Sequence, residues 1–259
     1  MSMDFLVLQH MSWEGPGRHL IRAAKKHGAH LHMVKVWREP IPDERGYDGL
    51  IVLGGSPNVD QEEAYPFLRA EKEAVHRVID EGVAYMGFCL GHQLLAHVLG
   101  ARVGPNFCRS VGFTDGHLTK EGRKHPVFKN SPQSFPLFKW HSQAVLPPVP
   151  KEVEVLVTSP ACQIEAISIQ ERPHVLGFQF DNQSATVPDV RLWLEADEEW
   201  LSQPPGIDPT AVLRAAAKHQ TAVGLQFQIL FSNYLNLISG CPDEPFIASE
   251  GCRSRASTP

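Results

Sequence analysis

The sequence predicts a three-layer α/β fold, a mostly parallel open sheet with helices on both faces. Two observations carry this. Through the first hundred residues short apolar runs alternate with stretches of helical periodicity, and the order strand, helix, strand, helix builds parallel sheets. The run from Asp48 to Pro57 is also of the buried type, as strands covered on both faces are.

Phe5 to Leu8 is the first strand, Pro16 to His27 a helix, and His30 to Val36 a second strand. "DGLIVLGGSP" (Asp48 to Pro57) is a buried-type strand ending in a Gly-Gly turn. Phe67, Ala70, Ala74, Val75 and Val78 mark one face of a helix that stops near Gly82. Ala84 to Phe88 is the next strand, after which Leu90, Leu94, Leu95, Val98 and Leu99 recur at helical spacing. From about Phe113 to Phe180 the runs "FPLFKW", "VEVLVTS", "CQIEAISI" and "HVLGFQF" predict an antiparallel extension of the same sheet. Beyond Asp181 the chain turns helical. Asp208 is the N-cap of a helix with Pro209 in its first turn, running to Gly240, with Pro242 just past it. The expected organisation is one domain over residues 1–240, its helical part from about residue 187, and a loose tail over 241–259.

Composition narrows the function. The chain of 259 residues is 42% hydrophobic and 20% charged, with a formal net charge of -5 and no Lys/Arg cluster. Neither nucleic acid nor a membrane is therefore an expected partner. The N-terminal apolar run is too short for a signal peptide or a span. Five cysteines with no CxxC pair indicate neither a disulfide framework nor a zinc ribbon, which predicts a cytoplasmic protein.

Cys89 falls on the bend between strand and helix, where a sharp turn exposes the apical side chain and aims the first helical N–H groups at a ligand. Gly87 and Gly91 remove bulk on either side, as glycines do at the nucleophile elbow of serine hydrolases. The competing reading is a small buried hydrophobe.

"GFCLGHQLLA", accompanied elsewhere in the chain by "IVLGGSPNV", "YPFLRAEKEAV", "KWHSQAVLPP", "LVTSPACQIEAI" and "LGFQFDNQ", resembles the blocks of class I glutamine amidotransferases. The chain resembles in particular the stand-alone proteins similar to the glutaminase part of GMP synthase, over roughly residues 3 to 200. The resemblance implies a flavodoxin-like sheet and a reaction in which Cys89 attacks the glutamine side-chain amide, giving a thioester and ammonia. It also implies an oxyanion hole from the backbone of Gly55 and Leu90, and substrate contacts from Gln93, Ser56 and His141. A partner synthetase would accept the ammonia, since no nucleotide motif occurs here. No cofactor is expected.

The departure from that family lies in "GFQFDNQ". Asp181 stands where the resemblance places the catalytic histidine, and Gln183 where it places the glutamate that orients it. A histidine near its ordinary pKa takes a thiol proton and returns it to the leaving ammonia. An unperturbed carboxylate does so uphill by about 4.6 pKa units, roughly 6 kcal/mol, and an ionised one destabilises a neighbouring thiolate. Burial of Asp181 would narrow the gap. Ser110 and Glu165 also replace residues usual in the family, an acid and a glutamine.

His92 and His141 are the candidate substitute bases, against the plainer reading of surface or packing histidines. The pairs His30/His32 and His92/His97 lack further ligands, so no metal is predicted. Three functions stay open: a glutaminase that is slow or has an unusual base, a non-catalytic glutamine-binding or regulatory protein, and a cysteine hydrolase acting on another γ-glutamyl bond.

Overall fold

The computed structural model describes residues 2–240; the predicted tail and Pro242 lie outside them. The described residues form one nine-stranded sheet. Its strands are β1 Asp4–Gln9, β2 His30–Lys35, β3 Gly49–Val52, β4 Ala84–Phe88, β5 Arg102–Leu118, β6 Ser134–Leu146, β7 Val153–Ser159, β8 Cys162–Ile169 and β9 Arg172–Phe178, in the spatial order β2-β1-β3-β4-β9-β8-β7-β5-β6. The helices are α1 Gly17–His27, α2 Phe67–Glu81, α3 Leu90–Val98, α4 Lys120–Lys124, α5 Val187–Ala196, α6 Glu198–Ser202 and α7 Pro209–Ser239.

The unbroken apolar runs follow from burial on both faces. Phe5 and Val7 of β1 join Leu20 and Ala23 of α1 and Phe227 and Phe231 of α7 in one core. Leu6 and Leu8 point the other way, into a core with Leu68 and Val75 of α2 and Leu94 of α3. A third cluster gathers Phe138, Trp140 and Trp193 where α5 and α7 cover the antiparallel end. The α7 cap is as predicted: the Asp208 carboxylate accepts from the Thr210 N–H at 2.9 Å, and Gly240 closes the helix at φ 62°.

The structure corrects three expectations. On α2 the buried face is Leu68, Glu71, Ala74, Val75 and Val78, with Ala70 in solvent. Glu71 displaces the expected pattern because its carboxylate meets the buried His10 ring at 2.7 Å. The antiparallel region begins at Arg102, eleven residues before Phe113, because Pro105 and the irregular register between Pro105 and Ser110 interrupt the strand's signal. Finally β9 pairs antiparallel with β8 but parallel with β4, so "HVLGFQF" returns the chain to the middle of the sheet. That return sets Phe178 beside Phe88 and brings the segment after β9 next to Cys89. The carboxyl ends of β1, β3, β4 and β9 then share one rim, where open α/β sheets bind ligands.

Candidate functional site

Cys89 sits between β4 and α3 at φ 46°, ψ -100°, a backbone conformation that a side-chain-bearing residue adopts only under constraint. Its N–H donates to the Phe178 carbonyl at 2.8 Å, and its carbonyl accepts from the Gln93 N–H at 3.0 Å. The two glycines have steric reasons. A Cβ on Gly87 would lie 2.5 Å from the Gly91 carbonyl carbon, and one on Gly91 would lie 2.3 Å from the Val52 oxygen. The Leu90 N–H is directed at the sulfur. On the opposite side, Gly54 and Gly55 are held by His10, whose Nδ1 meets the Gly54 carbonyl at 2.8 Å. Burial, the largest single influence, opposes charge on that ring, but Glu71 and the Gly54 carbonyl together hold the His10 pKa above its ordinary value.

A cavity of about 240 Å³ opens above the elbow. Gly55, Ser56, Gln93 and His141, all expected site residues, share its wall with Cys89. Gln93 Nε2 donates to the Gln143 carbonyl and to Gln179 Oε1, both at 3.1 Å, and Gln179 Nε2 lies 3.7 Å from the Cys89 sulfur. Gln179, unassigned from the sequence although it stands within "GFQFDNQ", therefore ties the nucleophile to Gln93.

Asp181 and Gln183 are not in the cavity wall; both are buried behind it. Gln183 Nε2 donates to Asp181 Oδ1 at 3.0 Å, while Asp181 Oδ2 has no hydrogen-bond partner. Burial pushes the Asp181 carboxyl up to about 7, against the opposing pull of Gln183 and Lys139. The Cys89 thiol is pushed well above its ordinary value, first by burial and then by Asp181 and Glu14. Burial thus raises the proton donor as well as the acceptor.

Burial makes both candidate histidines weaker bases than a free imidazole. His92 is fully buried, its ring facing Gly177, where an added Cβ would lie 2.8 Å from Nδ1. Burial drives its pKa down to about 3. His141 is bound through Nδ1 to the Gln143 carbonyl at 2.7 Å, and burial, aided by Lys139, holds its pKa well below the ordinary value.

Glu14 is the main residue missed in the sequence. Its Oε1 lies 2.0 Å from the point a Gly54 Cβ would occupy, and the Cys89 Cβ lies 3.3 Å from that same point. Gly54 is therefore what admits the carboxyl to the nucleophile's side, and burial with Asp181 and Asp197 nearby raises the Glu14 pKa well above its usual value. The available signal was "EGPG" shortly beyond the end of the first strand. Glu165 has a partner of its own: a buried ion pair with Lys139, and Ser159 Oγ at 2.5 Å. Ser110 is buried opposite His141 across the β5–β6 pairing. His141, Cys162 and Glu165 place three donor atoms within 4.8 Å of one another. A cation there would compete with the Lys139 ammonium for Glu165. His30 and His32 both lean on Asp4, at 3.2 and 2.7 Å.

The family model described as class-I glutamine amidotransferase matches residues 17–181. This chain belongs to that family. It is 28% identical over 211 residues to the glutamine amidotransferase-like protein YfeJ of Salmonella typhimurium, covering 80% of this chain and 85% of that protein. It is 30% identical over 142 residues to a glutamine-hydrolyzing GMP synthase component of Methanocaldococcus jannaschii, covering 55% and 68%. Among solved structures, a glutamine amidotransferase from Thermotoga maritima superposes with a TM-score of 0.80 at 21% identity, over 90% of this chain and 98% of that one. One from Methylobacillus flagellatus also gives 0.80, at 20% identity over 97% and 100%. These two likenesses establish the class I amidotransferase fold. Among the described residues no helix is long and apolar enough to cross a membrane.

Proposed function

We propose that this member of the family binds a small amide of the glutamine type at Cys89 and hydrolyses it poorly or not at all. The observation that carries this reading is the carboxyl of Asp181 in the position the resemblance assigns to histidine, buried behind the cavity and bonded only to Gln183. At a pKa of about 7 this group matches a histidine in base strength, but on taking the thiol proton it becomes a neutral acid and leaves the thiolate without the imidazolium a histidine would supply, and the thiol is itself held protonated by burial. The ligand-holding parts are intact: the strained elbow, the Leu90 N–H, and the Gln93–Gln179 pair that faces the sulfur. The Methanocaldococcus relative, named as one component of a GMP synthase, supports a second chain as a partner, one that either receives ammonia or senses the bound ligand.

A second reading has one observation in its favour. With its pKa near 7, Asp181 carries a proton for much of the time at neutral pH and so resembles a general acid for a leaving amine. That reading is a slow thiol hydrolase of a γ-glutamyl bond. Ammonia release from glutamine, measured for the wild type beside Cys89→Ala, separates the two. The binding reading expects wild-type release at or barely above the Cys89→Ala rate. Sustained cysteine-dependent turnover well above that background would favour the hydrolase.

A further inference from the structure

The cavity wall has a chemistry of its own. Trp13, Trp140 and Trp200 line it together with the carboxyls of Glu14 and Asp197, and no Lys or Arg contributes to the wall among the described residues. Trp140 and Trp200 stand 6.3 Å apart, centroid to centroid, with their planes 43° apart. Asp197 is fixed among them by the Trp140 Nε1–H, which donates to its carboxylate at 2.7 Å. The segment bearing Trp200 is itself anchored: Arg109, outside the wall, donates to the carbonyls of Trp200, Gln203 and Pro205. Its guanidinium lies 5.3 Å from the Trp200 ring centroid, so this indole already makes one cation–π contact.

A ligand with a carboxamide at Cys89 shares its cavity with these rings and with the Asp197 carboxyl. Indole faces and the Asp197 carboxylate attract an ammonium and disfavour a carboxylate; Glu14, with its pKa well raised, adds little charge, and Ser56, Asn58, Ser142 and Gln143 are uncharged. His141 does not alter that balance, because it is neutral in the wall.

We infer that this cavity selects a ligand by a cationic amine at the end remote from the amide, so that its ligands are short amides bearing an ammonium rather than a carboxylate as the recognised group. This rests on the reading of Cys89 as the amide-binding end. It also accounts for glutamine as one acceptable ligand, held through its ammonium.

Two probes of equal length and opposite end charge provide the test: 5-aminopentanamide, with an ammonium, and glutaramate, with a carboxylate. Both are titrated by calorimetry into the full-length Cys89→Ala protein, with glutamine as the third ligand. The expected result is that 5-aminopentanamide binds at least about tenfold more tightly than glutaramate. Trp200→Leu and Asp197→Asn, each added to Cys89→Ala, should reduce that preference by about threefold or more, with glutaramate unchanged or improved by Asp197→Asn. Equal or tighter binding of glutaramate overturns the inference alone, as does a preference that survives both substitutions. Failure of all three amides to bind overturns it together with the binding reading. Rapid ammonia release by the wild type overturns only the claim of poor turnover and leaves the charge preference to be judged by its own titration.

Discussion

Replacing Asp181 by His together with Gln183→Glu is expected to raise cysteine-dependent ammonia release from glutamine by about 10²–10⁴-fold, the usual contribution of a positioned general base. The substitution introduces a group that becomes cationic on taking the thiol proton and so stabilises the thiolate, which the neutral acid form of Asp181 does not. The carboxylate at 183 would take over the contact that Gln183 now makes to residue 181 at 3.0 Å and would orient the imidazole. It also removes the carboxyl that, after burial, does most to raise the Cys89 thiol. Asp181→His alone should give less, because a neutral Gln183 stabilises the imidazolium less well than a carboxylate. Ammonia assays of the single, double and Cys89→Ala triple variants check this, the last being expected to lose the gain. No gain in the double variant would mean that the elbow or the ligand pocket, rather than the proton carrier, limits the reaction.

The second large effect concerns stability. Lys139 and Glu165 form an ion pair with both side chains almost wholly out of water. Lys139→Met leaves the Glu165 carboxylate with only Ser159 for a partner, and breaking a buried pair in this way costs about 3–5 kcal/mol. Equilibrium unfolding in urea measures that loss directly. The double variant Lys139→Met/Glu165→Leu should recover most of it, since an apolar pair of similar volume often matches a buried ion pair. The pair also supports the site, because Lys139 is the cation that pulls the Cys89 and Asp181 pKa values downward. Its removal should therefore make the thiol harder still to ionise.

What was legible in the sequence was mostly local. The strand-to-helix bend at Cys89 and the glycines around it follow from sterics over a few residues, and the structure shows the close contacts that demand them. The apolar runs of β1, β3 and β4 revealed burial on both faces. Long-range pairing was less visible. Nothing local distinguishes β9, parallel to β4, from the antiparallel strands before it. Glu71 is absent from the face predicted for α2, because its partner, His10, is sixty-one residues away. Glu14 and Glu165 were hidden similarly: a buried acid is intelligible only with the glycine that admits it or the lysine that neutralises it. The substitution at Asp181 could be read from block order, but its burial behind the cavity wall depends on how β9 and β6 pack. There the Asp181 N–H donates to the Phe138 carbonyl at 2.8 Å.

In the proposed function Cys89 has no effective base and rests as a neutral thiol. Peptide-resolved alkylation of the wild type by iodoacetamide, followed by mass spectrometry from about pH 6 to about pH 10, tests this most directly, because only the thiolate reacts. The expected Cys89 rate keeps climbing to the top of that range with no plateau, as befits a thiol raised well above its ordinary value. A plateau already reached near neutral pH would show a thiolate held by a partner that does take its proton, and would contradict the proposal.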